Sequence, residues 1–223
     1  MRQLSKAFGS QWALRDVSFD LRAGECVALL GQNGAGKTTL LKLLSALMRP
    51  TSGAIELARP AVGYLVPGAH LYEHLTVGEN LRLFLALHNN KKTPAEVEKA
   101  LSRASLTGAQ DWLVSALSAG MKCRLLIAKW LLVEPGLLLL DEPYGPLDGA
   151  GVDLLESFVS ELTRAQTAVI IATHQIPRAL ALCSRALVLT RGRLVFDGPR
   201  DDAAANLDRL GESLLPRGEA WSY

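Results

Sequence analysis

Eight residues, Gly31-Gln32-Asn33-Gly34-Ala35-Gly36-Lys37-Thr38, concentrate the chemistry of this 223-residue chain. They match G-x-x-x-x-G-K-[ST] in full. Glycines let the backbone curl so that successive N–H groups converge on phosphate oxygens. A helix starting near Thr38 adds the positive end of its dipole. Lys37 is a point charge for the terminal phosphates. The Thr38 hydroxyl is a hard oxygen suited to Mg²⁺. Thr39, next in the chain, is grouped with the nucleotide-binding residues. The loop predicts ATP as ligand, with Mg²⁺.

A second set of residues could act on that ligand. Leu137-Leu138-Leu139-Leu140-Asp141-Glu142 reads as a buried strand ending in two acids. Such a strand carries its carboxylates to the edge of a sheet where ligands collect. Asp141 is then placed for Mg²⁺, and Glu142 for polarising an attacking water. His174 follows a third apolar run, 168–172, and is a candidate contact to the terminal phosphate.

The elements that must position these residues are legible as a pattern. Cys26-Val27-Ala28-Leu29-Leu30 reads as a strand covered on both faces, and 38–47 as the helix after the loop. Residues 17–21 and 54–57 suit short strands. From about 75 to 130 the pattern is mostly helical, with a start at Thr93-Pro94-Ala95-Glu96. Strands at 137–140, 168–172 and 186–189 then alternate with helices at 153–162 and 177–182. The expectation is an α/β fold with a mainly parallel sheet and an inserted helical part.

Composition narrows the function classes. Net charge is +2, from 24 basic and 22 acidic residues spread along the chain, so charge gives nucleic-acid binding no support. The three cysteines, Cys26, Cys123 and Cys183, lack zinc or disulfide spacing and read as buried apolar residues of a reducing compartment. No apolar core follows Met1-Arg2-Gln3-Leu4-Ser5-Lys6, so no signal peptide is expected. No run reaches the roughly 18 apolar residues of a membrane helix, so a partner must hold the chain at any membrane where it works.

Taken together the motifs resemble the ATP-binding subunits of ABC transporters. Leu117-Ser118-Ala119-Gly120-Met121 is similar to the LSGGQ signature and lies twenty residues before Leu137. Pro146-Leu147-Asp148 resembles the D-loop, and His174 the switch histidine, 32 residues after Glu142. Phe8 stands where the family places the aromatic that stacks on adenine, with core packing as its other reading. The resemblance runs from about residue 4 to 198.

That resemblance implies a P-loop NTPase (RecA-like) fold with an antiparallel β edge. It divides the chain into an ATP-binding core at 1–67 and 135–200, a helical subdomain at 68–134 and a tail at 201–223. It implies ATP hydrolysis by a head-to-tail homodimer or pseudo-dimer, with Ser118 and Gly120 serving the partner's ATP and Asp148 beside them. A helix cap at Ser118 fits the same geometry. It also implies integral membrane subunits as partners and a peripheral place on the cytoplasmic face.

Three departures stand out. Pro67 occupies the Q-loop glutamine position and brings no side-chain oxygen. Ala119 and Met121 replace the second and last signature positions. The family's first strand would begin before Met1, which implies either a true start upstream or a clipped edge strand. Gly120-Met121-Lys122 and Gly192-Arg193-Leu194-Val195 with Asp197-Gly198 resemble prokaryotic exporters; Leu117-Ser118-Ala119-Gly120, Leu83-Phe84-Leu85-Ala86-Leu87-His88 and Thr173-His174-Gln175 resemble the haem exporter of cytochrome c maturation, with a multidrug or lipid exporter as the alternative. The alternatives are a soluble ABC-type ATPase, disfavoured by a single cassette without heptads, and a regulatory module with weak hydrolysis.

Overall fold

The computed structural model describes residues 1–57, 61–68 and 70–205. Apolar runs at the chain's centre pair into a six-stranded sheet ordered β5-β6-β7-β3-β8-β9. Its strands are β3 (Cys26–Leu30), β5 (Val62–Leu65), β6 (Leu137–Asp141), β7 (Ala168–Ala172), β8 (Arg185–Thr190) and β9 (Arg193–Pro199). The first five run parallel, and β9 closes one edge antiparallel to β8. A separate three-stranded antiparallel sheet joins β2 (Gln11–Val17), β1 (Arg2–Phe8) and β4 (Ser52–Ala54).

Side chains of the central strands alternate between two cores. Val27, Leu29, Leu139 and Ile170 pack with helix α1 (Lys37–Leu44) and the small sheet. Ala28, Leu30, Leu138, Leu140 and Ile171 pack on the opposite face. That face is covered by α4 (Ala119–Val133), α5 (Gly149–Arg164) and α6 (Ile176–Leu182). A third core joins α2 (Val77–Leu87) and α3 (Pro94–Arg103) to the other side of α4. The short α7 (Arg200–Ala205) ends the described residues, so most of the tail at 201–223 lies outside them.

Several sequence expectations shift in register. The strand expected at 17–21 lies at Gln11–Val17, where β1 supplies a partner with Leu4 opposite Val17. That expected at 54–57 lies at Ser52–Ala54, opposite Arg2 and Ser5. Helix α1 stops at Leu44 because Ala46 takes a left-handed φ of 57°. The first strand, β1, is seven residues long and lies between β2 and β4 in the small sheet. Both α2 and α3 begin with capping boxes, Thr76 with Glu79 and Thr93 with Glu96, so their starts are fixed locally.

Helix α4 is buried on two sides and carries a cation inside. Lys129 is 6% exposed. Its Nζ donates to the His70 carbonyl at 3.0 Å and lies 4.4 Å from the Phe84 ring centroid. Burial pushes its pKa down from the usual 10.5 to about 8. Between these values the unfolded chain holds a proton that the folded chain has released. Stability from this residue therefore rises with pH through that window and is at its lowest below it. Relative to Lys129→Met, the parent chain gains up to about 1.4 kcal/mol per pH unit from pH 8 to 10.5. Parallel denaturant melts of the two proteins across that range measure the difference. A pH-independent difference would contradict the assignment.

Candidate ATP-binding site

The loop between β3 and α1 follows the last apolar residue of β3 without an intervening turn, so its geometry is inherited from the sheet. Gly36 is the N-cap of α1, with φ 107°. A Cβ there would meet the Ala13 carbonyl at 2.7 Å and Leu14 Cδ2 at 2.8 Å. Gly34, with φ 80°, has nothing within 4 Å. Gly34→Ala is thus expected to pay backbone strain alone, about 1–3 kcal/mol, while Gly36→Ala pays that strain and the clash as well and should weaken ATP binding. Thermal melts and ATP titrations of the two variants test the contrast, and equal losses would refute the steric argument.

A cavity of about 220 Å³ lies over the loop, lined by Ala13, Gln32, Asn33, Gly34, Gly36, Lys37, Thr38, Thr39, Asp141 and Glu142. Gly31 and Ala35 are buried beneath it as parts of the turn. Lys37 is 7% exposed, and its Nζ donates to the carbonyls of Gly31 at 2.6 Å and Gln32 at 3.2 Å. Burial lowers its pKa, partly offset by the nearby carboxylates of Glu142 and Asp141.

Register explains how the acids arrive. Asp141 ends β6 opposite Ala172 of β7, and the Glu142 amide extends the ladder by donating to the Ala172 carbonyl at 2.8 Å. Glu142 then turns left-handed, φ 49°. Its Oε2 accepts from Thr173 Oγ1 at 3.0 Å and the His174 amide at 3.3 Å, and it lies 2.9 Å from His174 Nδ1. With Glu142 ionised, Nδ1 carries the proton of that contact. His174 itself does not line the cavity and is joined to it through Glu142.

Asp141 is 7% exposed, and its Oδ2 accepts from Tyr64 Oη at 2.9 Å. The Thr38 hydroxyl and the carboxylates of Asp141 and Glu142 line one cavity, an oxygen-only donor set of the kind Mg²⁺ takes alongside phosphates. Among the described residues no cluster of three or more His, Cys, Asp or Glu could hold a metal alone. A cation at Thr38 and Asp141 would thus rely on the nucleotide for its other ligands.

Other sequence-derived candidates lie apart from this cavity. Phe8 is 51% exposed, with Lys6 Nζ 5.3 Å from its ring centroid, which removes the core-packing alternative. Ser118 is the N-cap of α4, its hydroxyl accepting from the Met121 amide at 3.2 Å, and Gly120 lies in the first turn. Asp148 caps α5 by accepting from the Gly151 amide at 2.8 Å and pairs with Arg124 of α4 at 2.8 Å. Pro67 sits in the turn after β5. Sequence reasoning missed Ala13, Thr173 and Tyr64. A signal for Tyr64 existed: it is the one residue with a polar group in its strand, Val62–Leu65.

The family described as ABC transporter matches residues 14–145 of this chain, more than half its length. The chain belongs to the ABC transporter family of ATP-binding cassettes. An uncharacterised ABC transporter ATP-binding protein of Bacillus subtilis is 36% identical over 203 residues, covering 86% of the cassette and 66% of that protein. A sulfate/thiosulfate import ATP-binding protein of Synechococcus elongatus is 37% identical over 218 residues, covering 88% and 63%. The cassette thus spans just under two thirds of these two relatives. The solved structure of an ATP-binding subunit of an ABC transporter superposes with a TM-score of 0.84 at 31% identity, covering 95% of the cassette and 94% of that chain. The fold is therefore that of the P-loop cassettes.

Proposed function

We propose that this cassette binds ATP with Mg²⁺ and hydrolyses it to drive transport through separate membrane-spanning subunits. The observation that carries the reading is Glu142, held by Thr173 and His174 at the cavity that Lys37, Thr38 and Asp141 also line. Lys37 and the loop amides bind the phosphates. When bound, Mg²⁺ supplies positive charge to the phosphate oxygens, with Thr38 and Asp141 as its protein ligands. Glu142 accepts a proton from the attacking water, and His174 contacts the terminal phosphate. Phe8 stacks on adenine. Phosphate release from the purified cassette, with Mg²⁺ or with a chelator, tests this; release indifferent to Mg²⁺ would refute it.

The core at 1–67 and 135–200 holds the nucleotide, and 68–134 forms the helical subdomain. A second cassette closes the site, its Ser118 and Gly120 offering helix N-terminal groups to the phosphate, with Asp148 alongside. No helix among the described residues is long and apolar enough to cross a membrane, so integral subunits supply the path and hold the cassette at the cytoplasmic face. The matches around Gly120, Leu83 and Thr173 support export, with haem as cargo. Co-purification with a multi-span haem-export protein tests that; an import-type partner, as the name of one relative describes, would overturn it. A regulatory module with weak hydrolysis is the second reading, favoured by Pro67 and Met121, and the basal rate decides between the two.

A further inference from the structure

The segment that should bring a Q-loop oxygen ends in Pro67, but three residues earlier it delivers a phenol to the metal side of the site. Tyr64 stands opposite Leu139 in the β5–β6 pairing. Asp141 lies two residues beyond Leu139, on the same sheet face, so the two side chains are diagonal neighbours. The Tyr64 hydroxyl donates to Asp141 Oδ2 at 2.9 Å, with both residues 7% exposed. No other hydrogen bond to the Asp141 carboxylate occurs among the described residues, so Oδ1 is left for a further partner. On its other side Tyr64 belongs to the wall of a groove of about 380 Å³ together with His70, Phe84 and Lys129.

We propose that Tyr64 is the positioning residue for Asp141: by engaging Oδ2 it fixes the carboxylate so that Oδ1 meets the Mg²⁺ of bound ATP, and it connects that oxygen to the groove wall. The inference rests on the ATPase reading above. A buried hydrogen bond to a charged group is stronger than a neutral one, and it constrains the carboxylate's rotation as well as its charge. Partners that orient metal-binding side chains commonly govern metal affinity by an order of magnitude. Tyr64 would take over from the missing glutamine the task of linking this segment to the metal, through a carboxylate and not by direct ligation.

The test uses the whole chain and Mn²⁺ as the spectroscopic probe. In Tyr64→Phe, ATP affinity in chelator stays as in the parent, while the free Mn²⁺ needed to half-saturate the ATP-loaded protein, read by electron paramagnetic resonance, rises about tenfold. Hydrolysis shows the same displacement along its Mg²⁺ dependence. An unchanged Mn²⁺ requirement would overturn the proposal, as would an equal loss of ATP affinity in chelator, which marks a purely structural role. If Tyr64→Phe does not fold, 3-fluorotyrosine at position 64 keeps the shape and strengthens the donor. A shifted Mn²⁺ requirement then supports the proposal and an unshifted one refutes it. A parent chain that binds no ATP either with Mg²⁺ or in chelator would sink the ATPase reading itself, and this inference with it.

Discussion

Replacing Glu142 by Gln lowers ATP hydrolysis by about 10²-fold or more while ATP binding persists. The substitution keeps the size of the side chain and the left-handed backbone, φ 49°, is no worse for Gln than for Glu. It removes the negative charge and the capacity to take a proton. Oε2 receives all three local contacts, from Thr173, the His174 amide and His174 Nδ1, so Oε1 takes none of them. An amide at this position must also turn its oxygen toward those donors, which aims its NH₂ where a water would have to donate. Binding rests on other residues, the loop amides and Lys37, and should be unaffected. Single-turnover phosphate release beside nucleotide titration separates the two effects. A Gln variant as fast as the parent would remove Glu142 from the chemistry.

Loss of Lys37 acts on the earlier step. Lys37→Ala should weaken ATP binding by about 10²-fold or more, since charge-assisted hydrogen bonds to phosphate contribute roughly 1.5–3 kcal/mol each. The ammonium is already inside the site, 7% exposed and bonded to two loop carbonyls, with its pKa lowered chiefly by burial. Its position is thus set by the loop, and binding redirects a charge already desolvated. Titration with a fluorescent ATP analogue measures the loss. Adenosine, which has no phosphate, should bind parent and variant alike, and a variant that loses adenosine equally has lost the fold.

How these residues come together was legible in unequal degrees. The loop, the acids after Leu140 and the helix start at Thr93 are local, and each element's own residues set its geometry. The capping boxes show this best, because Thr93 and Glu96 satisfy each other's backbone amides. The Tyr64–Asp141 contact spans 77 residues and depends on which strands become neighbours, information that no window of sequence contains. Likewise β9 pairs with β8 through the two residues Arg191 and Gly192, with φ of 48° and 77°, a hairpin turn without the usual Asn-Gly signature. The displaced strands at 11–17 and 52–54 have the same origin, since their limits are set by β1 and not by their own alternation. Phe8 is ambiguous in sequence because an aromatic residue suits a core and a ligand equally, and only its exposure at the end of β1 removes the core reading.

Helix α4 is shared between two cores, with Leu126, Ile127 and Trp130 in one and Leu125, Ala128 and Leu132 in the other. A rod held along its C-terminal two thirds, with no buried residue in its first turn, works as a lever. From Trp130 to Ser118 the helix extends about 18 Å, so a tilt of about 10° around Trp130 would swing the far tip by roughly 3 Å. That tip carries Ser118. On the proposed pairing of two cassettes, packing at the opposite end of the helix, where Trp130, Phe84 and the buried Lys129 meet, sets the reach of Ser118, so substitutions there should alter how two cassettes engage without touching either nucleotide.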